Sequence, residues 1–504
     1  MSRRLAPTLL VAAAAAVLVA SCTRSEAAVD PVAPSPSTRE ATAGAEAGSP
    51  PEATAPTTST TAFVPTTTAP VAPPRTPAAA TCPSAARQGL LPGAPKPPAT
   101  VPAQVPAPGP PPAPSSSTTT TPTPATLLDG LRTDPRLAGA TVSVSVWVDG
   151  WGEILAENPD TALIPASNQK LYTAVGALTL LDPAERLHTD VVATGPVVDG
   201  VVQGDLVLVG GGDPWLTLVG PASVDALAEQ VRAAGVSGVT GAVVVDESRY
   251  DDVRTLDQWP GDWVQSIGPL SALSADHNMY AKGDPGVLAD PAGRIGAVLR
   301  FALGARGVTV AGDVRHGTAP TGVRLARIDS PTVSELVTQL LLKSDNMIAE
   351  LLVKEIGRRA GGAPGSTAAG LAAIARVTDT LCGPLTGTSV DGSGLSRGNR
   401  HSARELRRLL QAAALAPWGR TYVEHLPVVG SPEVLGGRLS DPRTAGRVRA
   451  KGGMLAVTRS LSGYVTTVGG RTGVFSIIVN GPSLGRGVDG AIDDLVTDIV
   501  SMPG

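Results

Sequence analysis

Ser167-Asn168-Gln169-Lys170 sets a hydroxyl and an amine three residues apart. On a helix such positions share a face, so the Lys170 amine reaches the Ser167 hydroxyl. Pro165 puts Ser167 in a first helical turn, where unpaired N–H groups and the helix dipole favour developing negative charge. From Leu171 to Leu181 the following stretch is apolar on nearly every side, so Lys170 is expected to be buried. Burial moves an amine's pKa down, toward that of a general base. The pair could therefore form an activated serine nucleophile. A capping serine beside a snorkelling lysine gives the same pattern. Ser344-Asp345-Asn346, between an apolar run and the helix-like MIAELLVKEIG, is either an N-cap cluster or the mouth of a cleft. At a cleft, Ser344 would relay a proton to a leaving amine, and Asn346 would hold a substrate amide and orient Lys170. Lys451-Gly452-Gly453 reads as a strand lysine projecting into a cleft, with glycines admitting substrate to the backbone. An edge-strand lysine that blunts aggregation fits it too.

These clusters need a scaffold that joins distant parts of the chain. ATVSVSVWVDG alternates like a half-buried strand, GEILAENP returns from a turn, and TALIPASNQKLYTAVGALTLL gives a helix buried in mid-domain. From about 190 to 327, short Val-rich strands separated by glycines replace this pattern. Helices return at Pro331, and strands GRVRAKGG, LSGYVTTVGG and TGVFSIIVNG precede a last helix. The fold class expected is α/β (α+β), with 126–190 and 328–504 forming one split domain around a strand-rich insertion at 191–327.

The chain has 504 residues, 47 of them proline, and 26 of those prolines precede residue 130. Phe63 is the sole aromatic residue before Trp147. Residues 23–125, rich in Pro, Thr, Ala and Ser, therefore read as a solvated tether rather than a domain. Residues 1–22 read as a secretory signal: Arg3-Arg4, an apolar run of about 12 residues too short for a permanent span, then Val19-Ala20-Ser21-Cys22. That box resembles the bacterial lipoprotein cleavage site, which would make Cys22 a lipidated membrane anchor; an ordinary cleaved signal with an incidental cysteine is the alternative. The mature protein is then expected at the outer face of the cytoplasmic membrane, in the periplasm or in the cell wall. There an oxidising compartment would permit Cys82 and Cys382 to pair, though two unpaired cysteines are equally ordinary. A net charge of −4 without basic runs argues against nucleic acid as a partner. No CxxC or HExxH motif occurs, so no metal or other cofactor is expected. The five histidines show no ligand spacing and read as surface or capping residues. Gly481-Pro482-Ser483-Leu484-Gly485 follows a strand like a hydrolase elbow, but no histidine lies beyond His425 to complete the Ser…Asp…His order.

Taken together, Ser-x-x-Lys, Ser-Asp-Asn and Lys-x-Gly occur in the order of the penicillin-recognising serine enzymes. With the flanks PASNQKLYTAVGAL, GGGDPWL, PLSALSADHN, KSDNMIAELL, DGSGLSRGNRHS, LPVVG and AKGGML…SLSGY, residues 130–504 resemble the class C low-molecular-mass penicillin-binding proteins. The resemblance implies a transpeptidase-like domain, a central antiparallel sheet flanked by helices, with an inserted domain that is shorter here than is usual. It implies serine D-Ala-D-Ala carboxypeptidase or D,D-endopeptidase activity on peptidoglycan peptides, with β-lactams as covalent inhibitors. Ser167 would be the nucleophile, Lys170 its base, and Ser344 and Asn346 the relay and amide-binding residues. Lys451 would face the terminal carboxylate, and the amides of Ser167 and Met454 would form the oxyanion hole.

One departure stands out. The family usually carries hydroxyl residues where this chain has Gly452 and Met454. A lost hydrogen bond to a charged group costs about 1.5–3 kcal/mol, or about one to two decades of affinity. Thr458 and Arg459 are the nearby candidates to replace it. The departure implies weakened carboxypeptidase activity or a preference for cross-linked substrate. The rival is a non-catalytic wall-binding protein that keeps the fold. A β-lactamase would need a dedicated deacylating glutamate, for which the sequence offers no clear candidate.

Overall fold

A computed structural model describes residues 122–281, 289–430 and 435–503. The signal, the tether, Cys22 and Cys82 lie outside the described residues. In chain order come α1 (Pro124–Thr133), β1 (Thr141–Val148), β2 (Gly152–Glu157) and α2 (Lys170–Leu180). Then follow β3 (Arg186–Ala193), β4 (Leu206–Gly210), α3 (Val224–Ala233), β5 (Val243–Asp246), α4 (Pro291–Ala305), β6 (Arg315–His316) and β7 (Val323–Thr332). The remainder forms α5 (Val333–Leu342), α6 (Asn346–Gly361), α7 (Thr367–Cys382), α8 (Ala403–Leu415), α9 (Gly419–His425), β8 (Val448–Leu455), β9 (Thr458–Thr466), β10 (Thr472–Asn480) and α10 (Gly487–Val500).

The first sheet has the order β8-β9-β10-β1-β2, antiparallel throughout, so the chain's last strands insert beside its first. Its valine face packs on α1 and α10: Val144, Val146 and Val148 share a core with Val488, Ile492 and Val496. The alternation of β1 suggests one wet face, but Ser143 and Ser145 are fully buried as well. Helix α8 covers them. The Ala403 amide donates to Ser143 Oγ at 3.2 Å, and Arg407 Nε donates to Ser145 Oγ at 2.6 Å. Polar residues can alternate on an inner face when a neighbouring helix supplies their partners.

Behind that face α2 runs through a helical core with α5, α6, α7 and α8. Its residues Lys170 through Leu178 are all buried, which accounts for the absence of a polar stripe. The second sheet, β6-β5-β4-β3-β7, packs against α3 and α4. Its outer strand β7 leads straight into α5, capped by Thr332 and Glu335. Residues from this part reach back to the helices: Arg249 makes two 2.9 Å bonds to the buried Glu355, and Trp259 Nε1 donates to Asp391 at 3.0 Å.

Candidate active site

Ser167 sits in the 3-10 turn Ala166–Gln169, and Lys170 opens α2 behind it. The turn is tight enough to force Ala166 to φ +49°, a left-handed conformation rare for alanine. Ser167 stays half-buried, whereas the Lys170 side chain is fully enclosed. The Lys170 Nζ lies 3.3 Å from Ser167 Oγ, 2.7 Å from Asn346 Oδ1 and 2.5 Å from the Ser393 carbonyl. A neutral amine has two N–H donors and one lone pair. Two acceptors take the two donors, and the lone pair remains for the Ser167 hydroxyl proton. Burial, working against the charges of Asp391, Glu350 and Asp345, brings the lysine pKa down to about 8.

The second cluster lies where α5 turns into α6. Ser344 takes a left-handed conformation at φ +59°, Asp345 caps α6 by accepting from the Ile348 amide at 2.9 Å, and Asn346 begins the helix. Asn346 Nδ2 donates to the Ser266 carbonyl at 2.9 Å, which leaves Oδ1 directed at the lysine. The cap and the cleft residues are thus one feature, the same turn serving both.

Lys451 projects from edge strand β8, buried, and donates to Ser344 Oγ and to the Gly452 carbonyl, both at 2.8 Å. Burial, with the neighbouring Lys170, pushes its pKa well down. Gly453 closes the ring. A Cβ there would sit 3.0 Å from the Ser167 amide nitrogen and 2.8 Å from the Pro165 carbonyl oxygen, so only glycine admits this approach. Along β8, the Ala450 amide donates to Pro427 and the Val448 carbonyl accepts from Val429, both away from β9. Strand periodicity turns the Met454 amide the same way, off the free edge beside Ser167. Ser167, Lys170, Asn346, Ser344, Lys451 and Gly453 therefore follow one another around a single cleft.

Two expectations need correction. Arg459 does not serve the cleft: its guanidinium donates to the Leu455, Thr458 and Leu484 carbonyls and to Asp489, and Thr458 is fully buried against Asn480. His401 is no surface residue either. It is 2% exposed, stacks on Tyr172 at 4.2 Å, and places Nε2 3.0 Å from Gln169 Oε1, bracing the Ser167 turn from behind. Burial drops its pKa to about 4, so it is neutral.

Sequence reasoning missed Ser393, whose main chain holds the lysine, and the buried carboxylates Glu350 and Asp391. The available signals were the glycine-rich Asp391-Gly392-Ser393-Gly394 and the i+4 spacing of Glu350 from Asn346. Gly394, at φ +84°, lies against the Ser167 turn, where a Cβ would meet the Ala166 carbonyl oxygen. A cavity of about 690 Å³ lined by Leu256, Ile374, Ser389 and His401 includes neither Ser167 nor Lys170.

A family model described as D-Ala-D-Ala carboxypeptidase 3 (S13) matches residues 125–283 and 287–499. The D-alanyl-D-alanine carboxypeptidase of Actinomadura sp. (strain R39) is 31% identical over 439 residues, covering 71% of this chain and 80% of that protein. A carboxypeptidase of Mycobacterium tuberculosis is 33% identical over 388 residues, covering 72% of this chain and 80% of its own length. Among solved structures, penicillin-binding protein 4 of Haemophilus influenzae superposes with a TM-score of 0.67 at 21% identity, covering 75% of this chain and 99% of that one. That likeness establishes the fold, an antiparallel sheet flanked by helices with an added domain. The relatives favour an enzyme over a wall-binding protein. The chain belongs to the S13 family and is a serine D-Ala-D-Ala carboxypeptidase of the penicillin-binding class.

Proposed function

We propose that Ser167 is the acylated nucleophile, Lys170 its general base, and the cleft a site for peptidoglycan stem peptides and β-lactams. The observation that carries this reading is the enclosed Lys170 amine at 3.3 Å from Ser167 Oγ, with its other two neighbours both acceptors. Lys170 takes the hydroxyl proton as Oγ attacks the carbonyl carbon of the penultimate D-alanine. The Ser167 and Met454 amides stabilise the oxyanion. As the C–N bond breaks, the proton held by Lys170 passes through Ser344, hydrogen-bonded to Lys451, to the leaving amine, which returns Lys170 to its neutral form. Water then attacks the ester carbonyl as neutral Lys170 takes its proton, and Lys170 gives that proton to Oγ as the ester C–O bond breaks. Asn346 orients the lysine and a substrate amide. Lys451 supplies positive potential where a terminal carboxylate arrives.

With no hydroxyl at 452 or 454, that carboxylate loses side-chain donors, so carboxypeptidase activity is weak relative to action on cross-linked peptides. The strand-rich insertion, residues 191–327, is a separate module in the split catalytic domain of 126–190 and 328–504. Among the described residues no helix is long and apolar enough to cross a membrane. In our reading the signal exports the chain, Cys22 is lipidated, and the 23–125 tether carries the enzyme toward the wall.

Intact-mass measurement after benzylpenicillin treatment tests the assignment. One penicilloyl adduct is expected on the wild type and none on Ser167→Ala. An adduct on the alanine variant, or none on the wild type, would contradict it.

A further inference from the structure

One turn along α6 from Asn346, Glu350 is completely buried. Its Oε1 accepts from the Ser393 amide at 2.8 Å, and the Gly392 amide approaches both oxygens, at 3.1 and 3.2 Å. These amides belong to the loop whose Ser393 carbonyl receives Lys170 Nζ. The loop is braced on its other side too. Thr173 Oγ1 donates to the Gly392 carbonyl at 2.7 Å, and Asp391 accepts from the Gly394 and Ser396 amides and from Asn399 and Trp259. Burying a carboxylate is costly unless it is hydrogen-bonded. Here the bonds it makes go to the Gly392 and Ser393 amides and the Ser393 side chain, all in the loop facing the lysine.

We propose that Glu350 is a positioning residue for Lys170: by gripping the Gly392 and Ser393 amides it fixes the Ser393 carbonyl. That carbonyl and Asn346 Oδ1 then leave the lysine lone pair pointing at Ser167 Oγ. Asn346 and Glu350 share a face of α6, so one helix sets both acceptors, one directly and one through the loop. The inference rests on Lys170 being the base of the acylation step.

The test is the acylation of the full-length protein by benzylpenicillin, resolved into pre-equilibrium binding and the acylation rate constant. Glu350→Ala is expected to lower the rate constant by roughly 10²-fold, the scale of an ångström-sized misplacement, with pre-equilibrium binding little changed. Glu350→Gln keeps an acceptor at the same reach and should stay within about tenfold of wild type, because orientation is retained. Glu350→Asp keeps the carboxyl group but withdraws it by one methylene, and should be slower than Glu350→Gln. In a Lys170→Ala background, Glu350→Ala should add no further loss, because residues acting as a unit are not additive. Aspartate outperforming glutamine, both variants acylating at the wild-type rate, or additive losses in the double variant would each overturn the proposal. Should Glu350→Ala fail to fold, the order of Gln and Asp still decides. If Lys170→Ala itself acylates normally, the base assignment fails instead, and the two failures are told apart.

Discussion

On the proposed reading, the missing side chain at position 452 sets what the cleft offers a carboxylate. A Cβ built on Gly452 would lie 3.0 Å from Leu435 Cδ2, the flexible tip of a side chain, and 4.0 Å from Leu461. A hydroxyl residue therefore fits once Leu435 shifts by a few tenths of an ångström. Gly452→Thr is expected to raise kcat/KM for a linear D-Ala-D-Ala peptide by about ten- to a hundredfold, the worth of one hydrogen bond to a charged group. Cross-linked substrate should respond far less; steady-state kinetics on the two substrates checks this, and equal responses would contradict it. Ser167, Lys170, Ser344, Asn346 and Lys451 were legible in the sequence because their chemistry is carried by side-chain type within short motifs. Ser393 was not legible, since a main-chain carbonyl acts whatever its residue type. Arg459 misled because three carbonyls and a carboxylate compete for it.

Helix α2 carries the lysine, and the tightness of its packing sets how well the lysine is held. Where α2 meets α7, a Cβ on Gly176 would fall 2.4 Å from Ile374 Cγ1. In an ordinary helix interior, glycine to alanine gains about 0.5–1 kcal/mol. Here the overpacking cost, about 1–3 kcal/mol, wins. Gly176→Ala should lower the thermal midpoint, and an unchanged or raised midpoint would show that the two helices part freely. Helices and strands followed from periodicity, and α2 was readable as a central helix because it lacks a polar face. The second buried face of β1 was not readable. Valine alternating with serine looks half-wet until α8 brings the Ala403 amide and Arg407 to the serines. The 3-10 turn at Ser167 was likewise hidden, because Pro165 marks a helix start without saying how tightly the first turn is wound.

Across the molecule, the cleft exists because four distant segments meet: the turn before α2, the α5–α6 corner, the loop at 391–396 and the free edge of β8. No segment alone buries Lys170. Together they remove it from water while Asp391, Glu350 and Asp345 oppose the loss of its charge. A base must be neutral to accept a proton, so protonation below about pH 8 removes it, and the acylation rate should fall close to tenfold per pH unit there. The most direct measurement is the rate constant for acylation of Ser167 by benzylpenicillin between pH 6 and 10. A rise with pH that levels off above about 8, abolished in Lys170→Ala, is the predicted result. A rate that is flat or falls with rising pH, or that keeps its profile without the lysine, would contradict the assignment of Lys170 as the base.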